Sequence, residues 1–235
     1  YKNNFTIEFW FKLASDFEFS TTDNDARTPL LVGENWGIFG TRQNFGSETR
    51  NVIVFKLGNE EINFQLSSSV ILNAWYHLAV CTSSNGALMG LIDGELTFLN
   101  SFSETLESEN LNVGRFATNQ SSYYFNGYMQ NLFISDSHSI YSGPFELKEV
   151  DFNECVCQPK IEADECSNTL FKLQADSSRQ IFDKSIYANE INIINDLLVV
   201  DSDLKSDYEN DLSISNKALD FSKSSETIMH LFANQ

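Results

Sequence analysis

Basic residues, prolines and long apolar runs are all scarce in this sequence. It has 15 Lys and Arg against 33 Asp and Glu, which gives a formal net charge of −18, and only 3 prolines. Because phosphate binding needs clustered cations, this charge argues against nucleic acid or an anionic membrane as the main partner. The longest clean apolar runs, such as Leu197–Val200, have four residues, far below the ~20 that a membrane-spanning helix needs. The sequence therefore predicts no membrane span.

Apolar and aromatic residues are abundant. Of the 235 residues, 42% are hydrophobic and 13% are aromatic, with 20 phenylalanines. This composition excludes a wholly disordered chain, because such chains lack the apolar surface to form a core. The length suits one large all-β domain or two small ones.

Alternating apolar and polar residues predict strands almost throughout the chain. Every second residue from Phe5 to Leu13 is apolar, which is the period of a half-buried strand. Val52–Leu57 and Ile62–Leu66 flank a Gly58-Asn59 turn and predict a hairpin. Many short strands with few helical stretches indicate a β-sandwich. The other predicted strands are Trp75–Thr82, Ala87–Ile92, Glu95–Leu99, Leu111–Arg115, Tyr124–Ser135, Leu170–Leu173, Ile191–Ile194, Leu197–Val200, Leu212–Ile214 and Ala218–Phe221.

The four cysteines, Cys81, Cys155, Cys157 and Cys166, predict two disulfides. Cys155 and Cys157 are two positions apart, so their side chains point the same way on an extended chain, which argues against a bond between them. We expect one of them to join Cys166 and the other Cys81, although the sequence leaves the connectivity open. The rival interpretation is a zinc site, but the usual CxxC pairs and a nearby histidine are missing.

Two glycosylation sequons also bear on the compartment. They begin at Asn4 and Asn119, and they would be modified only in a secretory pathway. Such triplets also arise by chance in a chain rich in Asn and Ser. Together with the cysteines they predict an extracellular protein, either secreted or at the cell surface. No signal peptide opens the sequence, so we expect a mature or trimmed product.

Five short motifs in residues 5–135 carry a resemblance to a known family. The first is FTIEFWFKL, at Phe5–Leu13. The next four are Trp75-Tyr-His77-Leu-Ala-Val80, Leu91-Ile-Asp93-Gly94, Asn112-Val-Gly114-Arg115 and Phe125-Asn-Gly127-Tyr-Met129. In this order they resemble the strands of laminin-G-like, concanavalin A-like jelly rolls. The resemblance implies an all-β, antiparallel jelly-roll β-sandwich.

The order of segments departs from that family. The strands that normally precede the first motif are missing there, yet residues 170–173, 183–185 and 217–221 resemble them. The resemblance thus implies a back portion at residues 1–152, a cysteine-rich connector at 153–166 and a front portion at 167–235. The front portion could close its own sandwich, complete the neighbouring copy, or belong to the next domain of a tandem array. Completion between molecules is slightly favoured.

Catalytic patterns are lacking. No nucleophile elbow, metalloprotease or nucleotide-binding motif occurs. The jelly-roll glucanases that share this fold carry three alternating acids on one strand, whereas Glu8 is the only acid in the first strand. The sequence therefore predicts no enzyme. His77 is interpreted as a packed or hydrogen-bonded histidine.

Two acidic clusters are candidate calcium sites, because calcium takes six to eight oxygen ligands. The favoured alternative is that these acids form solvated loops. No other cofactor is predicted. The clusters comprise Asp23 and Asp25, and Asp201, Asp203 and Asp207.

Three aromatic residues beside turns are candidates for stacking on sugar rings: Trp36, Tyr123 and Tyr124. A buried Trp36 is at least as consistent with the sequence. Trp10 and Trp75 lie in predicted strands, and we expect them in the core.

These observations predict a secreted, non-enzymatic structural or adhesive module. Its expected partners are copies of itself or tandem neighbours, joined head-to-tail into a filament by strand complementation. The alternative is a glycan-binding lectin module within a larger secreted or cell-surface protein, calcium-dependent if the acidic clusters bind calcium.

Overall fold

The fold consists of strands arranged in two antiparallel sheets, as the sequence predicts. It is seen in a computed structural model, and no helix in its described part is long and apolar enough to cross a membrane. The described residues are 5–19, 27–64, 69–82, 86–101, 106, 110–114, 125–135, 139, 141–146, 169–175, 181–183, 190–194, 198–201, 217–220 and 228–232.

The first ten strands come from the N-terminal part of the chain. They are β1 (Thr6–Leu13), β2 (Thr28–Val32), β3 (Trp36–Phe45), β4 (Glu48–Leu57), β5 (Glu60–Asn63), β6 (Trp75–Thr82), β7 (Leu88–Ile92), β8 (Glu95–Asn100), β9 (Asn110–Val113) and β10 (Gly127–Ser135). The C-terminal segment adds β11 (Thr169–Ala175), β12 (Ile181–Asp183), β13 (Glu190–Ile194), β14 (Leu198–Asp201), β15 (Lys217–Asp220) and β16 (Ile228–Phe232).

The C-terminal strands extend both sheets. Sheet A has the order β12-β11-β10-β1-β6-β7-β8, and β15 also pairs with β10 and with β14. Sheet B has the order β13-β16-β9-β2-β3-β4-β5. The C-terminal segment therefore supplies strands to the sandwich, as the sequence predicts. The predicted domain boundaries at 152 and 166 lie outside the described residues and stay a prediction.

The core lies between the sheets, and β1 is its central strand. The five apolar residues that alternate along β1 and just before it are at most 2% exposed. β1 has neighbours on both sides, since Phe11 is the register partner of Tyr76 on β6 and of Met129 on β10. Full burial of each large apolar side chain contributes roughly 1.5–3 kcal/mol. The period-2 pattern of the sequence thus identifies the centre of the fold.

The turn between β7 and β8 has the predicted Asp-Gly form. Asp93 and Gly94 have φ values of 52° and 78°, the left-handed pair that a tight two-residue hairpin turn requires. A Cβ added to Gly94 would lie 2.0 Å from the carbonyl oxygen of Phe145. Glycine is needed at Gly94 for its backbone conformation and for this close approach.

We predict that Gly94→Ala destabilises the protein more than Gly46→Ala does. Gly46 also has a left-handed backbone (φ +64°), but nothing lies within 4 Å of its added Cβ. Gly46→Ala should therefore lower the free energy of unfolding only by the backbone strain of a left-handed alanine, about 1–2 kcal/mol. Gly94→Ala should lower it by this strain and also by the steric clash with Phe145. Urea unfolding of both variants measures the difference, and equal losses would contradict the account.

Candidate functional site

Residues 141–146, which we name the strap, cover part of the outer face of sheet A. Within the strap, the rings of Tyr141 and Phe145 stack at 4.1 Å between centroids. The Phe145 N–H donates to the carbonyl of Gly94 at 3.0 Å. Close by on the sheet, Glu8 is 4% exposed and His77 is fully buried. This part of the face is therefore inaccessible to a ligand.

An acid and a histidine lie together at the strap. One carboxylate oxygen of Glu8 accepts a hydrogen bond from the Tyr141 hydroxyl and lies 3.6 Å from His77 Nε2. Neither ring nitrogen of His77 has a hydrogen-bond partner in the described part of the chain. The imidazole packs against Trp10 and Phe145, at 5.2 and 5.8 Å between ring centroids. His77 is thus a packed histidine, one of the two roles that the sequence predicts for it.

Asp93 ties the β7–β8 turn to β6. Its Oδ1 accepts a hydrogen bond from the His77 backbone N–H at 2.8 Å, and its own N–H donates to the His77 carbonyl at 2.9 Å. Burial raises the pKa of Asp93, and the hydrogen bond from His77 N–H opposes that rise. A folded-state pKa above the unfolded value makes stability fall as the pH rises between the two values. The contribution of Asp93 to stability is therefore largest in acid.

The outer face of sheet B carries an apolar layer with polar side chains over it. Phe39 on β3 and Val52 and Val54 on β4 form a small buried cluster, against which Val32 packs. The Arg27 guanidinium lies over the Phe39 ring, 5.8 Å from its centroid. The layer gives the polar groups above it a rigid base.

Two amides bridge this face from β3 to β5. Gln43 Nε2 donates to Asn63 Oδ1 at 3.0 Å, and Asn63 Nδ2 donates to Gln43 Oε1 at 2.8 Å. β4 lies between these strands, and Val54 is the register partner of Asn63. Gln43 also contacts Glu61 at 3.4 Å, and Glu61 pairs with Arg27. Each polar group is thus held by a neighbour.

The same face continues to the end of the β3–β4 hairpin. Phe45 is 40% exposed there. The Arg50 guanidinium lies 5.6 Å from the centroid of the Phe45 ring and pairs with Glu48 at 2.7 Å. Gln43 and Arg50 are register partners, as are Phe45 and Glu48, so all four share a face. We name this set the polar strip; it comprises Arg27, Gln43, Phe45, Glu48, Arg50, Glu61 and Asn63.

The polar strip has the chemistry to bind a ligand rich in hydroxyl groups. Its amides donate and accept, its guanidinium groups donate, and its carboxylates accept. Because the side chains are already held in place, less conformational entropy is lost on binding. Phe45 adds an exposed aromatic ring that can stack on an apolar ligand face.

The acidic groups of the polar strip are paired with cations. Glu48 pairs with Arg50, and Glu61 with Arg27. No group of three or more His, Cys, Asp or Glu able to hold a metal ion occurs among the described residues.

Trp36 is not an exposed stacking residue, which corrects one interpretation of the sequence. It is 3% exposed, and its ring lies 6.4 Å from that of Phe55. It faces the core because it alternates in phase with Ile38 on β3. Trp36 therefore cannot stack on a sugar in this fold.

The prediction of a disulfide at Cys81 is also corrected, because Cys81 is a free buried thiol. It lies in an apolar cluster with Ala79, Met89, Leu91 and Phe133 on the outer face of sheet A. Burial raises the pKa of the Cys81 thiol to about 12. Cys81 is packed in this cluster because its side chain points to the outer face from β6.

Most other predicted site residues lie outside the described part of the chain. Asp201 ends β14, where its register partner is Lys217. Those outside are Asn4, Asp23, Asp25, Asn119, Tyr123, Tyr124, Cys155, Cys157, Cys166, Asp203 and Asp207.

Trp10 and Trp75 are half-buried on the outer face of sheet A, whereas the sequence placed them in the core. The Lys12 ammonium lies 5.4 Å from the centroid of the Trp75 ring and 4.8 Å from that of Tyr128. One face of the Trp75 ring is thus occupied by a cation. The alternation along β1 could have predicted the position of Trp10 on the outer face, since Trp10 is out of phase with the core phenylalanines.

We predict that the Cys81 thiol is almost inert in the folded protein. The thiolate is the reactive species, so a pKa near 12 and full burial should slow labelling at pH 8 more than about a thousandfold relative to the unfolded chain. Mass spectrometry of the Cys81 peptide after timed alkylation, with and without urea, measures this. Comparable rates in both conditions would contradict the structure.

The sequence comparison identifies a family. A laminin G model described as the concanavalin A-like lectin/glucanases superfamily matches residues 1–138. A search of curated proteins found no match.

Comparison with solved structures gives three similar chains, the first of which supports the same fold. A proposed carbohydrate binding protein from Bacteroides ovatus ATCC 8483 matches with a TM-score of 0.53 and 14% identity, over 77% of this chain and 49% of that one. This chain thus spans about half the length of that structure. Domain 4 of AbnA, a GH43 extracellular arabinanase from Geobacillus stearothermophilus in complex with arabinotriose, matches with a TM-score of 0.38 and 18% identity. The match covers 57% of this chain and 61% of that one. A SAP-like pentraxin from Limulus polyphemus matches with a TM-score of 0.40 and 10% identity, over 58% of this chain and 65% of that one.

Proposed function

This chain belongs to the concanavalin A-like lectin/glucanases superfamily, and we propose that it is a carbohydrate-binding module whose ligand lies along the polar strip. The observation that carries the proposal is the reciprocal amide bridge between Gln43 and Asn63, flanked by the Arg27–Glu61 pair. Vicinal hydroxyl groups need donors and acceptors side by side, and the bridge presents both. The geometry therefore supports the lectin alternative better than the structural module that the sequence favours.

A neutral oligosaccharide is the ligand class that fits best. The two arginines of the strip are each matched by a glutamate, so the strip offers no excess of either charge. Phe45 lies at its exposed end, where a sugar ring can place its C–H face on the aromatic ring. The proposed footprint runs from Arg27 to Phe45.

The proposal is for binding without hydrolysis. Glycoside hydrolysis uses two carboxyl groups facing the scissile bond, one as acid and one as base or nucleophile. Glu48 and Glu61 are instead each engaged by an arginine, while Glu8 lies buried at the strap. This arrangement favours a lectin over a glucanase.

The proposed location is outside the cell, as a secreted or cell-surface module. The family resemblance and the two sequons, at Asn4 and Asn119, support it. Calcium binding at the acidic clusters is a separate proposal. The glycan-binding test described below therefore includes a measurement in chelator. Binding along the polar strip alone should survive chelation.

A second candidate function is assembly with copies of itself, which the sequence favours. The structural support is that, among the described strands, the C-terminal segment pairs with the rest of the chain only at β9 and β10. Assembly and glycan binding are compatible, because the polar strip lies on β3, β4 and β5 and just before β2, away from β9 and β10.

We predict that Gln43→Ala weakens glycan binding about tenfold or more. The substitution removes the Gln43 amide, which would itself bond a ligand hydroxyl group, and releases Asn63 from its fixed position; the loss of one or two hydrogen bonds of about 0.5–1.5 kcal/mol each corresponds to this factor. The measurement is a glycan array of neutral oligosaccharides, followed by calorimetry with the best binder in buffer and in chelator.

Arg42→Ala is the matched control. Arg42 lies on the same hairpin, but it alternates to the opposite face and its side chain bonds Asn51 at 3.2 Å. The affinity of Arg42→Ala for the glycan should equal that of the unmodified chain. A blank array, or equal losses in Gln43→Ala and Arg42→Ala, would overturn the proposed site.

A further inference from the structure

The C-terminal segment meets the rest of the chain through three strand pairings. β11 pairs with the end of β10, where Phe133 is opposite Lys172, and β15 pairs with its start, where Met129 is opposite Leu219. β16 pairs with β9 over four residue pairs. All three contacts are backbone ladders at the margins of the two sheets.

Without this segment, β9 and β10 would each be an edge strand. Among the described strands, β9 has β2 as its only other neighbour, and β10 has only β1. An edge leaves a row of unpaired N–H and C=O groups, which templates pairing with another chain. The two edges are in different sheets, and strands of one segment, residues 169–232, cover both of them here.

The connection permits the segment to come from a neighbour. Residues 147–168, between the strap and β11, number 22. Such a stretch reaches about 75 Å when extended, several times the ~17 Å radius of gyration expected for this chain length. The ladders are the same whether the segment is supplied by its own chain or by a second copy. Protein concentration relative to the effective concentration of the tethered segment then decides between them.

We infer that the C-terminal segment exchanges between copies of this chain, so that β16 of one copy pairs with β9 of another. The partner is a second copy, because it carries the same residues 217–220 and 228–232, whose register β10 and β9 accept. Reciprocal exchange closes a dimer, whereas head-to-tail exchange forms a chain. This inference rests on the assembly candidate and is independent of glycan binding.

An isotope-mixing experiment tests the exchange. Asn112 and His230 are register partners across β9 and β16, so Asn112→Cys with His230→Cys places two cysteines within disulfide reach. Labelled (15N) and unlabelled chains carrying both substitutions are unfolded, mixed equally, refolded over a range of concentrations and oxidised. After digestion, mass spectrometry measures the fraction of 112–230 links that join one labelled and one unlabelled peptide. Exchange predicts a fraction that rises with concentration toward about half, the statistical limit for random pairing.

The control is a pair within one hairpin. Arg42→Cys with Asn51→Cys joins register partners of β3 and β4, which the short turn keeps within one chain. Its links should contain no mixed pairs at any concentration. The exchange is overturned if the 112–230 links also contain none, or if they fail to form where the control link forms.

The native mass of the unmodified chain separates this inference from the assembly candidate. Mass that grows with concentration while mixed pairs stay at zero means that copies associate through another surface, and only the exchange is wrong. Constant mass with no mixed pairs overturns both. Glycan binding is measured separately and survives either result.

Discussion

Burial of both faces of β1 in its first half, over Thr6–Phe9, is the constraint on which the rest of the structure depends. One face carries Phe9 and Phe11 into the core, where neither is exposed. The other face carries Glu8, which is 4% exposed and could not be buried without a partner. The Tyr141 hydroxyl supplies that partner, so the strap must lie across sheet A. Sheet A is thereby covered around Glu8 and His77, whereas the outer face of sheet B carries the polar strip.

The polar strip results from a different balance on sheet B. Its apolar layer, formed by Phe39, Val52 and Val54, is buried although it faces away from the core. Amides, arginines and glutamates cover this layer and satisfy one another, which holds them in fixed positions. A surface of this kind suits recognition of hydroxyl groups, whereas catalysis would need a carboxyl group free to exchange a proton. The same network therefore accounts for both the proposed binding and the proposed lack of hydrolysis.

Local patterns predicted most of the fold, and pairing between distant strands explains the rest. The β4–β5 and β6–β7–β8 hairpins follow from alternation and from the Gly58 and Gly94 turns. β3 was not predicted because Gly37 and Gly40 weaken the strand signal, although both glycines make room for phenylalanine rings. The polar strip could not be predicted, since it forms only when β3, β4 and β5 are in register. The Cys81 disulfide prediction was wrong because the number of cysteines does not reveal whether a particular cysteine is buried on the face of its sheet.

Hydrogen exchange at individual amides tests the central claim, that the C-terminal segment completes both sheets. In the structure, β9 and β10 each have a strand on either side, as β1 does. Their amides should therefore be protected to nearly the same degree as those of β1, whether the segment comes from the same chain or from a second copy. Protection of β1 and β6 alone, with β9 and β10 exchanging as fast as an open edge, would contradict the account.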